Sequence, residues 1–295
     1  MKRTTKIATF VVPLALVLLA GPGAGATFPG SNGLIVFGRA GDVWVVDADG
    51  NTTRLTDTTH PREGLVDWNA DGSRLAYLRC GAGEFSNCDI WSMNANGGDR
   101  TRLTTTPVAQ ETWPTWSPDG TQIAFTSNEL DPFQDIWVMD ADGSNPTRLT
   151  TTKSFDAFPE WSPDGTQIAF DSDRSAVDDI WVMDADGSNP TRLTAGPKID
   201  EYPDWSPDGM KITFTRNSDI WVMDADGSAE TQLTTSSRIE FTSTFSPAGN
   251  RIAFNREGRN DRFGIWTMPA DGSEPPRQRT FGRFDFAPDW QPGPV

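Results

Sequence analysis

Apolar positions along this chain fall in short bursts of 4–7 residues separated by Gly, Pro, Asp and Asn. The stretch Trp161–Thr194, WSPDGTQIAFDSDRSAVDDIWVMDADGSNPTRLT, contains every burst type, and edited copies of it recur along the chain. In the copy beginning at Glu111, ETWPTW leads into the turn SPDG, followed by TQIAF, a variable loop, DIWVMD at Asp135–Asp140, the turn ADGSN, and TRLT at Thr147–Thr150. Bursts of this length, rich in β-branched and aromatic side chains and bounded by turn residues, predict four strands joined by hairpins. In SPDG, Pro presets φ for the turn and Gly closes it; in DADG, Gly accepts the left-handed conformation a hairpin loop demands. IWVM is apolar on both parities, so the third strand is expected to be buried on both faces, as between two neighbouring sheets.

The DIW-type tryptophans stand at Trp44, Trp91, Trp137, Trp181, Trp221 and Trp266, spaced 47, 46, 44, 40 and 45 residues apart. A fixed period of this size denotes a repeat architecture. Six units of four strands packed radially predict an all-β, six-bladed β-propeller of antiparallel blades. The SPDG signature follows Trp68, Trp116, Trp161, Trp205 and Phe245 in edited forms, and Trp290 as WQPG, where its downstream strands are missing. Leu34–Phe37, Val43–Asp47 and Thr53–Thr56 match those missing strands. The C-terminal strand is therefore expected to complete the first blade and close the ring. Pro114, Pro159, Pro203 and Pro288 lie two residues before the repeat tryptophan. Proline belongs on a sheet edge, so the first strand of each unit should be the innermost.

WSPDGxxIAF followed by DIWVMDADG and RLT resembles the TolB-like β-propeller family, also called WD40-like or PD40 repeats, over nearly all of 27–295. The resemblance implies a propeller in the cell envelope that binds protein. TolB also carries an α/β domain before its propeller and works with a peptidoglycan-associated lipoprotein. The present chain is expected to lack that domain, so only the propeller is carried over.

Composition places this fold outside the cytoplasm. Lys2, Arg3 and Lys6 precede the apolar run Ile7–Ala20, and Ala24-Gly25-Ala26 offers a cleavage site, so residues 1–26 read as a signal peptide and 27–295 as one propeller domain. The apolar run is short for a membrane span. An exported, soluble, monomeric protein is expected, periplasmic or extracellular. The net charge of -16 argues against nucleic acid and anionic lipid as partners. Cys80 and Cys88, the only cysteines, are expected to form a disulfide, which would contribute roughly 2–3 kcal/mol on the chain-entropy model.

Little in the chain supports catalysis. His60 is the only histidine, no G-x-S-x-G elbow accompanies it, and chemistry requiring several imidazoles is ruled out by count. No resident cofactor or metal is expected, with calcium or another cation as the exception that clustered acids allow. The DADG turns echo calcium loops but lack the distal bidentate Glu, so they read as turns. Arg54, Arg102, Arg148 and Arg192 of the RLT strands are expected to pair with nearby acids.

The remaining candidates are Glu63, Glu111, Asp156, Asp200, Glu240 and Asp285, one per blade, each five residues before the repeat tryptophan or its equivalent. Strand order places them at one channel mouth, on the face carrying the variable loops. Six such carboxylates suit a cation or a basic segment of a protein or peptide partner. The alternative is a scaffold role, each capping a turn or pairing with an arginine. A competing function is a glycan- or peptide-processing enzyme using paired channel carboxylates.

Overall fold

The computed structural model describes residues 32–292 apart from 59–61, 82–86, 108, 131 and 261. Residues 1–26, expected to be a signal peptide, and His60 lie outside the described residues. Six four-stranded antiparallel sheets form the propeller, and no helix occurs among the described residues. Blade 4 is representative: Asp156–Trp161 is innermost, followed outward by Gln167–Ser172, Asp179–Asp184 and Thr191–Arg192. Blades 2, 3, 5 and 6 begin with Glu63–Trp68, Glu111–Trp116, Asp200–Trp205 and Glu240–Phe245.

Blade 1 is assembled from both ends of the chain. Asp285–Pro292 supplies its innermost strand and pairs antiparallel with Asn32–Arg39, in the register Ile35 to Trp290 and Arg39 to Asp285. The ring is thereby closed as expected, leaving no unpaired edge at the join.

The core lies between the blades. Ala76, Ile90 and Leu103 of blade 2 pack with Trp116, Ile123 and Phe125 of blade 3, and equivalent clusters occupy the other five interfaces. Ile136, Trp137, Val138 and Met139 are all buried, which explains why the third strand is apolar on both parities.

The turns hold the units in register. Ser117 Oγ donates to Asp119 Oδ1 at 2.7 Å, and the same carboxylate accepts the Thr121 amide at 2.9 Å. In the DADG turn of blade 3, Gly143 has φ 87°, and a Cβ there would lie 2.5 Å from the Leu103 carbonyl of blade 2. Glycine is thus required twice, for its backbone conformation and for the close approach of the preceding blade.

Each innermost strand contains a bulge. Leu65, Trp113, Phe158, Tyr202, Thr242 and Ala287, each three residues before the repeat aromatic, have φ between 46° and 59°. The cross-strand register shifts at these points. A left-handed non-glycine residue costs roughly 1–2 kcal/mol. Repeating it in six blades implies a compensating structural use. The added residue reverses side-chain parity and turns three successive residues per strand into the axial channel.

Candidate binding face

The six predicted acids are buried within their blades. In four blades the acid stands directly across the ladder from an arginine: Asp285 from Arg39, Glu63 from Arg79, Asp200 from Arg216 and Glu240 from Arg256. The ion-pair distances are 2.6, 3.5, 2.6 and 2.5 Å respectively. In blade 4, Ser172 stands opposite Asp156, and Arg174 reaches back to it at 2.8 Å. Each of these five guanidinium groups also lies over its blade's third-strand tryptophan, 4.5–5.0 Å from the ring centroid. Acid, arginine and tryptophan form a three-layer stack beneath the mouth.

Blade 3 departs from this arrangement. Ser127 stands opposite Glu111, and the hydrogen bond to Glu111 Oε1 comes from Thr106 Oγ1 at 2.6 Å. Burial pushes the Glu111 carboxyl above its ordinary range. Five of the six positions are thus ion pairs within or beside their blades, and Glu111 is held by a hydroxyl instead.

Other acids face the channel. Residues 65–67, 113–115, 158–160, 202–204, 242–244 and 287–289 line it, enclosing about 90 Å³. Asp67, Glu160, Asp204 and Asp289, each immediately before a repeat tryptophan, bring four carboxylates together there. Asp67 Oδ2 accepts the Trp116 amide of the next blade at 2.7 Å, Asp289 Oδ2 that of Trp68 at 2.9 Å, and Asp204 Oδ2 that of Phe245 at 2.7 Å. These bonds fasten three of the six pairs of neighbouring blades: 1 to 2, 2 to 3 and 5 to 6. Burial pushes all four carboxyls up, repulsion from neighbouring carboxylates adds to this at Asp67, Glu160 and Asp204, and Asp67 and Asp289 share a hydrogen bond.

Sequence reasoning missed these four because the bulge changes parity within a six-residue strand. A usable signal was the proline two residues before the tryptophan, since proline in a sheet marks a bulge as well as an edge. Aromatic residues immediately preceding it, at 113, 158 and 202, were the second signal.

Those aromatics form a collar over the carboxylates. Phe158 and Tyr202 ring centroids lie 4.3 Å apart, Trp113 and Phe158 4.6 Å, and Trp113 and Tyr202 5.6 Å. Around the collar stand Phe155, Ile199, Ile239 and Phe284, each immediately before a ring acid and 46–50% exposed. Phe286 completes the wall on the blade 1 side; a Cβ on Gly38 would come 2.6 Å from its ring. On blades 4 and 5, burial and mutual repulsion raise the carboxyls of Asp171, Asp178 and Glu201.

The other sequence-marked groups occupy scaffold positions. Cys80 and Cys88 are disulfide-bonded across the second and third strands of blade 2. Arg54, Arg102, Arg148 and Arg192 pair with Asp42, Asp89, Asp135 and Asp179 at 2.6–2.8 Å. In the DADG turn of blade 3, Asn145 Nδ2 donates to Asp140 Oδ2 and the Ser144 amide to Asp142 Oδ1. Among the described residues no three His, Cys, Asp or Glu side chains are arranged so that they could hold a metal ion, and no helix there is long and apolar enough to cross a membrane.

Fold and face together define a closed propeller with a uniform turn side and an apolar, charged loop side. The chain belongs to the TolB beta propeller domain family, PD40, whose family model matches residues 39–219. It is similar in structure to TolB from Acinetobacter baumannii, with TM-score 0.76 and 23% identity over 90% of this chain and 68% of that one. It also resembles a putative TolB from Agrobacterium tumefaciens, with TM-score 0.69 and 22% identity over 88% and 91% of the two chains. A chain in the crystal structure of a nidogen/laminin complex shares the fold at 12% identity, with TM-score 0.75 over 89% and 99%. Comparison with curated protein sequences finds no match.

Proposed function

We propose that this propeller is an exported binding module that receives a protein or peptide segment at the channel mouth on the loop face. The observation that carries this reading is the set of half-exposed Phe155, Ile199, Ile239 and Phe284 around the aromatic collar. Large apolar side chains grouped on an otherwise highly charged surface suit a partner that covers them. Raised carboxyls at Asp171, Asp178 and Glu201 add a preference for cationic groups, because an arriving lysine or arginine relieves their mutual repulsion. The six acids of the arginine stacks serve this face from beneath by holding the mouth rigid. Export agrees with the leader-like residues 1–26 and with a disulfide, a bond that persists in oxidising compartments.

A carboxylate-dependent hydrolase is the competing reading, and Asp67 with Asp289 resembles the paired acid it requires. The pocket among these carboxylates is small, about 90 Å³, and ringed by Trp113, Phe158 and Tyr202, which suits ordered water better than a sugar ring or peptide. The binding reading is tested by selecting a random peptide library on the immobilised chain. Enrichment of peptides combining Lys or Arg with apolar residues is expected, and Ile199→Glu with Ile239→Glu should abolish it. No enrichment, or enrichment unchanged by those exposed substitutions, would refute binding at this mouth.

A further inference from the structure

Blade 6 breaks the repeat in a coordinated way. In the other five blades the residue two before the third-strand tryptophan is aspartate: Asp42, Asp89, Asp135, Asp179 and Asp219. Its partner on the outermost strand is arginine in blades 1–4 and Gln232 in blade 5, where Nε2 donates to Asp219 Oδ2 at 2.9 Å. In blade 6 the two positions are Gly264 and Gln278, and the Gln278 amide donates instead to the Thr280 carbonyl at 2.8 Å. Both members of the usual ion pair have been replaced by neutral residues.

Beside Gly264, above Trp266, lies a cavity of about 380 Å³ walled by Arg238, Arg259, Arg262, Phe263 and Phe281. Arg238 donates to the carbonyls of Glu257 at 3.3 Å and Gly258 at 2.7 Å, holding the loop that forms one wall. Arg256, also in the wall, is occupied by Glu240 and by its stack on Trp266. The side chains of Arg259 and Arg262 are exposed and make no hydrogen bond or ion pair among the described residues; the Arg262 carbonyl accepts the Gly258 amide. Glu257 directs Oε2 to the Ile239 amide at 3.4 Å. Phe281, 76% exposed, is the most exposed large apolar side chain described.

The local charge also departs from the rest of the chain. Residues 238–283 contain eight arginines against five acids, in a protein of net charge -16. A cleft of one charge sign with low-dielectric walls concentrates ligands of the opposite sign. Guanidinium forks match carboxylate and phosphate oxygens in bidentate geometry, and aromatic walls favour a flat ligand body.

We propose that blade 6 carries a pocket for a small flat organic anion, a carboxylate or phosphate monoester. Arg259 and Arg262 hold its oxyanion, and Phe281 and Trp266 hold its apolar body. The ligand's charge takes the electrostatic part that the repeat aspartate plays in the other blades. This pocket stands apart from the channel mouth, and its test is independent of the peptide proposal.

The test titrates the full chain by calorimetry with 2-naphthoate, 2-naphthyl phosphate, inorganic phosphate and the neutral 2-naphthalenemethanol. At least one naphthyl anion should bind, with the neutral alcohol and inorganic phosphate each at least about tenfold weaker, the effect of losing a charge-assisted bond or the apolar body. The two naphthyl arms distinguish a carboxylate ligand from a phosphate ester. Arg259→Ala with Arg262→Ala should weaken binding at least about tenfold at unchanged melting temperature, since both side chains are exposed. Gly264→Asp should weaken it in the same direction by returning the repeat's negative charge. Failure of both naphthyl anions to bind at about 10 mM would overturn the site, as would equal binding of the alcohol or indifference to the arginine changes.

Discussion

Two sets of acids recur around the propeller axis four residues apart, in opposite electrostatic states. Glu63, Asp156, Asp200, Glu240 and Asp285 pair with arginines stacked on tryptophans, at 2.5–2.8 Å in four blades and 3.5 Å at Glu63. Asp67, Glu160, Asp204 and Asp289 face one another across a narrow channel, and their carboxyls are pushed up. The same residue type in the same strand is thus a stabilising ion in one position and a strained one in the other. The bulge between them makes the difference. It turns the first set toward the blade interface and the second toward the axis.

The largest effect should come from breaking a matched pair. Asp200→Ala leaves Arg216 buried with only the half-exposed Glu230 as a charged neighbour. Removing one member of a buried pair costs about 3–5 kcal/mol. Urea unfolding should show a loss of that order. A loss within that of an exposed pair, about 1 kcal/mol or less, would mean that the stack does not hold the blade.

Neutralising a channel acid should have the opposite sign. Asp289→Asn keeps an acceptor for the Trp68 amide while removing a charge from the cluster. Its carboxyl is pushed up to about 7 by burial, so the folded chain binds a proton there that the unfolded chain releases near 3.8. The stability it contributes is therefore fully present below about pH 4 and is lost as pH rises through 7. The turn aspartates act in the other direction. Asp119 and Asp164 are held below their ordinary range by local hydrogen bonds despite some burial, and they lose their contribution as pH falls below 3.8. The melting temperature should therefore decline both below about pH 4 and from pH 5 to 8. Asp289→Asn should flatten the upper decline and stabilise the chain at pH 8 by on the order of 1 kcal/mol. A wild-type melting temperature that rises between pH 5 and 8 would contradict the channel assignment.

The fold was legible because a propeller repeats its chemistry: six tryptophans, the SPDG and DADG turns and the split first blade determine strand order and closure without coordinates. The site was legible only in part. Glu63 and its five counterparts were found as a ring, but their arginine partners were not sought: the arginine follows the acid by sixteen residues in blades 2, 5 and 6, and in blade 4 Arg174 lies just past the strand that ends at Ser172. Asp67, Glu160, Asp204 and Asp289 were overlooked because simple alternation does not count the residue the bulge inserts. The change at Gly264 was similarly hidden, since it lies inside a signature otherwise read as uniform.

The smallest effect provides the finest comparison. Blade 3 is the one blade whose ring acid lacks an arginine among the described contacts, with buried Ser127 where blades 1, 2, 5 and 6 carry arginine. Ser127→Arg would place a guanidinium between Glu111 and Trp137, copying the stack of the neighbouring blades. The gain from pairing Glu111 is opposed by burying a second charge and fixing a long side chain, so the net stabilisation should not exceed about 1 kcal/mol. The carboxyl of Glu111, now pushed up by burial, should move down toward the acid range as the cation arrives. Carboxylate titration by NMR measures that movement directly, even where the change in melting temperature is too small to interpret. If Glu111 instead stays high with the arginine folded in, opposition across the ladder is insufficient, and the tryptophan stack must set the geometry that makes the pair.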